Sequence, residues 1–372
     1  MRTTHHPITL GDGNSQQRLT AFHFGAAGNG PKAYIQGGLH ADEIPGMLAA
    51  TLLRPRLEQL EREGRVRGEI ILVPSANPIG LGQAIQGAPF GRFDLGSGIN
   101  FNRAYKHVAD ELKTSLAGLL GPDAAANVAL VRAHARAAIA RWTVHSDAQA
   151  MKKILLSLAI DADVVLDLHC DNEAVVHLYA GTPLAERAAP LAALSGARAL
   201  LLAKEAGDEP FDEACSRLWW ELAEHFGPAL PIPPACLAVT LELRGEMDVN
   251  YAYGQADADA VLAFLAHEGL LDLPPAPLPP MRCAPTPLEG VEPLLAPHNG
   301  IVVFVRQLGE TVQAGDAIAD LIDPVSGATT CVRAGVDGVF FARTAHRHLL
   351  RGWAIGKIAG ARAYRQGKLL SQ

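Results

Sequence analysis

The chain has 372 residues, 49 % of them apolar and 19 % charged, with a net charge of −7 and a pI near 6.0. That length suits one large domain plus a smaller one, and an acidic balance with no Lys/Arg-rich stripe excludes a nucleic-acid partner. No apolar run of about eighteen residues exists, so no membrane partner is expected. The first residues lack the apolar core of a secretory signal, and five scattered cysteines without CxxC spacing read as reduced thiols in a cytoplasmic protein.

Up to about residue 270, short apolar runs alternate with longer Ala/Leu-rich segments. The strand candidates are AYIQG (33–37), EIILVPS (69–75), DVVLDLH (163–169), AVVHLY (174–179), ARALLLA (197–203) and CLAVTLEL (236–243). Helical patterns such as GMLAATLL, DAAANVALVRAHARAAIARWTV and DEACSRLWWELAEHF lie between them, and Pro55 is expected to kink or end the first near Arg54. Apolar strands separated by helices predict an α/β fold, a mixed, largely parallel sheet with helices on both faces. Residues 1–272 form this unit, 273–290 read as a Pro-rich, semi-rigid linker, and 291–372 as a small all-β domain. The β domain holds a weak repeat. APHNGIVV (296–303) matches AGVDGVFF (334–341), and GDAIADL (315–321) matches GWAIGKI (352–358), as two hairpin-rich halves of a flattened sandwich would.

The stretch QGGLHADEIPG (36–46) sets His40 and Glu43 three apart immediately after a strand end, where open α/β sheets place ligands. A second strand ends in His169. Two histidines and a glutamate form a recurrent catalytic zinc set that leaves a position for water, with one Zn²⁺ per chain. Asp167, on the same strand side as His169, or Asp171, is suited to orient that imidazole. Glu242, an ionisable group in the otherwise apolar AVTLELR, is the candidate general acid/base, against a plain ion pair with Arg244. The glycine-rich GRFDLGSGINFNRAY offers Asn102 and Arg103 to clamp a carboxylate and Arg92 to polarise the scissile carbonyl.

Taken together, GGLHADEIPG, NFNR, DLH and TLELR resemble the succinylglutamate desuccinylase/aspartoacylase family, a branch of the zinc carboxypeptidase superfamily, over nearly the whole chain. The resemblance implies zinc on His40, Glu43 and His169, Glu242 as general acid/base, and a substrate carboxylate on Asn102 and Arg103. It also implies that the C-terminal β domain narrows the entrance. That domain also looks like a lipoyl/biotinyl-type barrel-sandwich, but its only lysines after 288, Lys357 and Lys368, are not in the turn between halves, IDPVSGATT, so no carrier role is expected. Asn100-Phe101-Asn102-Arg103 stands where the family has Asp-Leu-Asn-Arg.

The expected activity is hydrolysis of the amide of a small N-acylated amino acid or related carboxylate. The alternatives are a carboxypeptidase releasing a C-terminal residue from a peptide, and a non-catalytic metal- or ligand-binding member of the fold. A homo-oligomer is compatible with the sequence.

Overall fold

The computed structural model describes residues 1–8, 17–274, 276–367 and 369. The chain opens with an antiparallel pair, β1 (Arg2–Ile8) and β2 (Gln17–Gly25), followed by β3 (Lys32–Gly37), α1 (Ile44–Arg62) and β4 (Glu69–Val73). Next come α2 (Pro78–Leu81), a short hairpin of β5 (Ala84–Ile85) and β6 (Ala88–Pro89), then α3 (Ala109–Ser115), α4 (Ala124–Ala140) and α5 (Asp147–Ala159). Strands β7 (Val164–Asp171), β8 (Glu173–Ala174) and β9 (His177–Gly181) lead to α6 (Ala185–Ser195) and β10 (Ala199–Ala203). Then follow α7 (Phe211–Phe226), β11 (Leu237–Gly245), α8 (Tyr251–His267) and β12 (Pro285–Pro287).

Among the described residues, nine strands make one mixed sheet in the order β1-β2-β4-β3-β7-β11-β9-β10-β12. Its centre, β4-β3-β7-β11, is parallel, as the apolar runs predict. Alternation along β7 and β11 sorts side chains between two cores. Leu166, Leu168, Val239 and Leu241 pack with Leu53 of α1, Leu191 of α6 and Leu265 of α8. Val165 and Ala238 face the other way, onto Leu112 of α3, Leu155 of α5 and Leu218 of α7. Each fully buried leucine contributes roughly 1.5–3 kcal/mol, so both faces are strongly specified. On that second face the apolar series gives way to Asp167, His169 and Asp171 on β7 and to Thr240 and Glu242 on β11.

The C-terminal strands are β13 (Val291–Leu295), β14 (Gly300–Phe304), β15 (Thr311–Val312), β16 (Ala317–Ile322), β17 (Thr329–Arg333), β18 (Gly338–Arg343), β19 (His348–Leu349) and β20 (Ala354–Gly360). They form two antiparallel sheets, β13-β20-β18-β15 and β17-β16-β14-β19. The sequence repeat is visible here: its halves supply the paired strands β14/β16 in one sheet and β18/β20 in the other. Val302, Ile318, Leu321, Phe340, Ile355 and Ile358 fill one core between the sheets. Phe341, Val291 and Leu288 pack on Ala199 and Leu201 of β10. The C-terminal strands therefore cover the outer part of the same face that α3, α5 and α7 cover further in, and a polar strip of β7, β11 and β9 lies between.

Three expectations are corrected. Helix α1 runs through Pro55 to Arg62; the buried Ala49, Ala50, Leu53 and Leu57 on both sides of the proline hold the turns that lose one N–H bond. The run 174–179 is split: Ala174 belongs to β8, which pairs with β18, and only His177–Gly181 joins the large sheet. The Pro-rich segment is not wholly a linker, since Pro285–Pro287 adds an edge strand parallel to β10. None of the five cysteines is paired, and among the described residues no helix is long and apolar enough to cross a membrane.

The approach of α1 to β3 and β7 depends on glycine. A Cβ on Gly46 would lie 2.4 Å from the Leu168 carbonyl oxygen, and one on Gly37 would lie 2.6 Å from the Gly46 oxygen. Gly46→Ala is expected to lower unfolding free energy by about 1–3 kcal/mol through overpacking. Urea denaturation checks this, and an unchanged midpoint would show that the helix moves aside freely.

Candidate metal centre

His40 and Glu43 sit in the turn between β3 and α1, and Pro45 in the first helical turn starts the helix straight after Glu43. His169 comes from β7, which lies beside β3. The three are buried together, and one ligand atom from each lies within 4.8 Å of the others. His40 Nδ1 is 2.8 Å from Glu43 Oε1, and His169 Nδ1 is 2.7 Å from Glu43 Oε2. The backbone N–H of Cys170 donates to Glu43 Oε2 at 3.0 Å.

The far nitrogens are also engaged. His40 Nε2 is 2.7 Å from Asn100 Oδ1, whose orientation is set because that oxygen also accepts the Asn102 N–H at 2.8 Å. His169 Nε2 is 2.9 Å from Asp167 Oδ2, while Asp167 Oδ1 accepts from Gln36 Nε2 at 2.9 Å. With its Nε2 proton directed at Asn100 Oδ1, His40 turns the Nδ1 lone pair toward Glu43, and His169 Nδ1 likewise faces the other oxygen of that carboxylate. Lone pairs opposed at such distances need protons or a cation between them, and the two-histidine, one-carboxylate donor set fits a divalent ion. Burial opposes charge on Glu43, but His40 and His169 outweigh it and hold its pKa well below the usual range.

Glu242 lies opposite His169 in the β7/β11 register and opposite His177 of β9. Its Oε2 is buried without a hydrogen-bond partner among the described residues. Burial, then the charge of Glu43, push its pKa up to about 8. The alternative ion pair with Arg244 does not form. Arg244 takes a left-handed backbone (φ 67°) at a register shift, which turns it to Asp257 and over the Tyr253 ring at 4.3 Å.

Arg92 is held beside the turn because Ala41 N–H donates to the Gly91 carbonyl at 3.0 Å and Gly91 N–H to Asp42 Oδ2 at 3.2 Å. Its guanidinium lies 3.3 Å from both Glu43 Oε1 and His40 Nδ1. Asn102 and Arg103, expected to clamp substrate, are buried beside the cluster and make contacts within the protein. Asn102 Oδ1 accepts the Phe211 N–H at 2.9 Å, its Nδ2 is 3.4 Å from His169 Nε2, and Arg103 donates to the Asn102 carbonyl at 2.7 Å. Packing draws them inward because Asn102 meets the start of α7. Asp171 does not reach His169 either; its carboxylate accepts from Lys357 of β20 at 2.5 Å.

Sequence reasoning passed over three residues. Asn100 was visible as the altered first position of its motif, and Gln36 as a polar residue alternating with Tyr34 on β3. Lys152, whose ammonium donates to the carbonyls of Asn100 at 3.1 Å and Arg103 at 2.7 Å, carried no signal, since a helical lysine reads as solvated.

Residues 29–155 match the family model described as Succinylglutamate desuccinylase/Aspartoacylase catalytic domain. The matched segment thus carries the same family likeness as the motifs. A candidate succinylglutamate desuccinylase/aspartoacylase family protein from Shewanella amazonensis SB2B is 26 % identical, with a TM-score of 0.82 over 96 % of this chain and 98 % of that one. One from Shewanella frigidimarina NCIMB 400 has the same fold at 23 % identity, TM-score 0.83, over 96 % and 97 % of the two chains. The product-bound ectoine utilization protein EutE (DoeB) from Ruegeria pomeroyi shares the fold at 16 % identity, TM-score 0.67, over 96 % and 95 %. No curated protein matches the chain. The match to a desuccinylase/aspartoacylase catalytic domain and the shared fold support a hydrolase of the deacylase type, and the His40–Glu43–His169 cluster is suited to a metal ion.

Two outcomes test this geometry. Asn100→Ala should weaken Zn²⁺ affinity about 10–100-fold by freeing the His40 ring, read by competition with a chromophoric chelator; an affinity within twofold of the parent would contradict the support. The second concerns Glu213, buried beside Asp212 at the start of α7. Burial, then the Asp212 charge, raise its pKa to about 8 from 4.5. The folded chain thus holds a proton that the unfolded chain loses, so this site's contribution to stability declines as pH rises from 4.5 to 8. Glu213→Gln should therefore gain stability over the parent at pH 8.5 but not at pH 4, measured by thermal unfolding at both.

Proposed function

We propose that the chain is a zinc-dependent amidohydrolase that removes the acyl group from a small N-acylated amino acid or related carboxylate. The observation that carries this reading is Glu242, a buried carboxylate with an unpartnered oxygen, directly across the strand pair from a metal-suited histidine. A divalent ion on His40, Glu43 and His169 supplies a Lewis acid that lowers the pKa of water at this position. Glu242 accepts a proton from the attacking water and delivers it to the departing amine nitrogen. Its raised pKa suits a group that must both take and give a proton near neutrality. Arg92 offers its guanidinium to the carbonyl oxygen as that atom gains negative charge.

In this reading residues 1–272 are the catalytic unit and 291–372 a barrel-sandwich-like wall. The packing of Phe341 and Leu288 on β10 supports a walled cleft, which suits a small acyl-amino acid better than a peptide terminus. A carrier role gains no support, because Lys357 lies within strand β20 rather than at a hairpin tip; Lys368 lies outside the described residues.

Glu242→Gln should lower kcat on an N-acyl-amino-acid panel by roughly 10²–10⁴ while equimolar zinc remains bound. Near-parental turnover with zinc present would remove Glu242 from the chemistry.

A further inference from the structure

The carboxylate of the proposed substrate needs a cation. Arg103, the residue expected to supply it, is 9 % exposed, donates to the Asn102 carbonyl, and lies within the fields of Asp212, Asp208 and Glu213. Arg92 stands at the reacting end, against Glu43 and His40. A further cation at the polar strip comes from the C-terminal sheet.

Lys357 is placed on β20 opposite Ala342 of β18, next to Phe341, whose ring meets the His177 ring at 4.9 Å. Its ammonium donates to Asp171 Oδ2, and Asp171 is two residues beyond His169 on the same strand face. The pair is neither buried nor solvated, with side chains 30 % and 22 % exposed. Among the described residues this is the only hydrogen bond of Lys357, so two N–H groups stay available. Tyr179 shares that face: it pairs with Thr240, two residues from Glu242; the residue is half-buried and its hydroxyl has no partner among the described residues. The Lys357 charge acts on both Tyr179 and Glu242, and Tyr179 is also within the field of Arg92. The same wall holds His177, fully buried opposite Glu242. Its Nδ1 donates to the Val175 carbonyl at 2.9 Å and its Nε2 is unpartnered. A buried acceptor left open is costly unless a bound molecule or water completes it.

We propose that Lys357 and Tyr179 form an anion subsite that holds the substrate's carboxylate, so that the C-terminal sheet contributes directly to specificity. The inference rests on the amidohydrolase reading for its substrate. Lys357 bridges Asp171 and the incoming carboxylate through its spare donors, and Tyr179 gives a second hydrogen bond. Docking of the C-terminal strands does not require Lys357. The β8/β18 pairing, the Glu173 pairs with Arg343 and Arg347, and the apolar seam already provide it.

The test has two arms on the full-length chain. In the first, succinate binding is measured by calorimetry for the parent, Lys357→Met, Lys357→Arg and Tyr179→Phe, with thermal melts to establish folding. Lys357→Met is expected to weaken binding at least tenfold and Tyr179→Phe about threefold, while Lys357→Arg largely restores it. In the second, N-acyl amino acids are compared with the same compounds carrying a carboxamide in place of the carboxylate. Lys357→Met should raise KM for the acids at least tenfold with little change in kcat and leave the amides unaffected. Lys357-dependent succinate binding without hydrolysis of any substrate supports the subsite and overturns the amidohydrolase reading. Hydrolysis with acid-to-amide discrimination unchanged in Lys357→Met overturns the subsite and leaves that reading intact. Absence of succinate binding to the folded parent also overturns it.

Discussion

One carboxylate facing two imidazoles is the contact on which the site depends. Glu43 reaches His40 from its own turn and His169 from the neighbouring strand, and both contacts are shorter than 3 Å. A charged carboxylate at such depth is tolerable only with close partners. The close glycine contacts between α1, β3 and β7 are therefore part of the chemistry, because a helix displaced outward would withdraw Glu43 from the second histidine. Asn100, Asp167 and Gln36 then hold the rings from behind, which limits how far either imidazole can turn.

The sheet handles burial and reactivity with one device, the period-two alternation of strands. On β7 and β11 one face is continuous aliphatic packing, and the other changes from apolar to polar near the strand ends. That change is why His169, Asp167 and Glu242 could be placed on one side of the sheet from residue order alone: a lone ionisable side chain in an apolar strand has few innocuous explanations, and its side of the sheet follows from parity. The α/β class, the central strands and the C-terminal repeat were legible for the same reason, being local periodic patterns.

What was not legible depended on distant segments. Nothing near Asn102 or Arg103 announces that α7 will close over them, so the contacts of Asn102 with Phe211 and His169 could not be read from a glycine-rich loop. Arg244 shares parity with Glu242 on paper, yet a left-handed residue breaks the alternation before the two can pair. Asp171 looked like a neighbour of His169, whereas its partner arrives from a strand 186 positions later. Pro55 failed as a stop signal because packing on both sides of a helix outweighs one missing bond. Each miss is a case of tertiary contact overriding a local preference.

The outermost strand, β12, has a bearing on how the molecule behaves in company. An exposed sheet edge recruits further strands by offering unpaired amide hydrogens. Here the last strand is Pro285-Thr286-Pro287, and two of its three residues have no amide hydrogen to offer. A segment that first reads as a mere spacer thus serves as a terminator, ending lateral growth of a large sheet at the point where the chain leaves for its second set of strands.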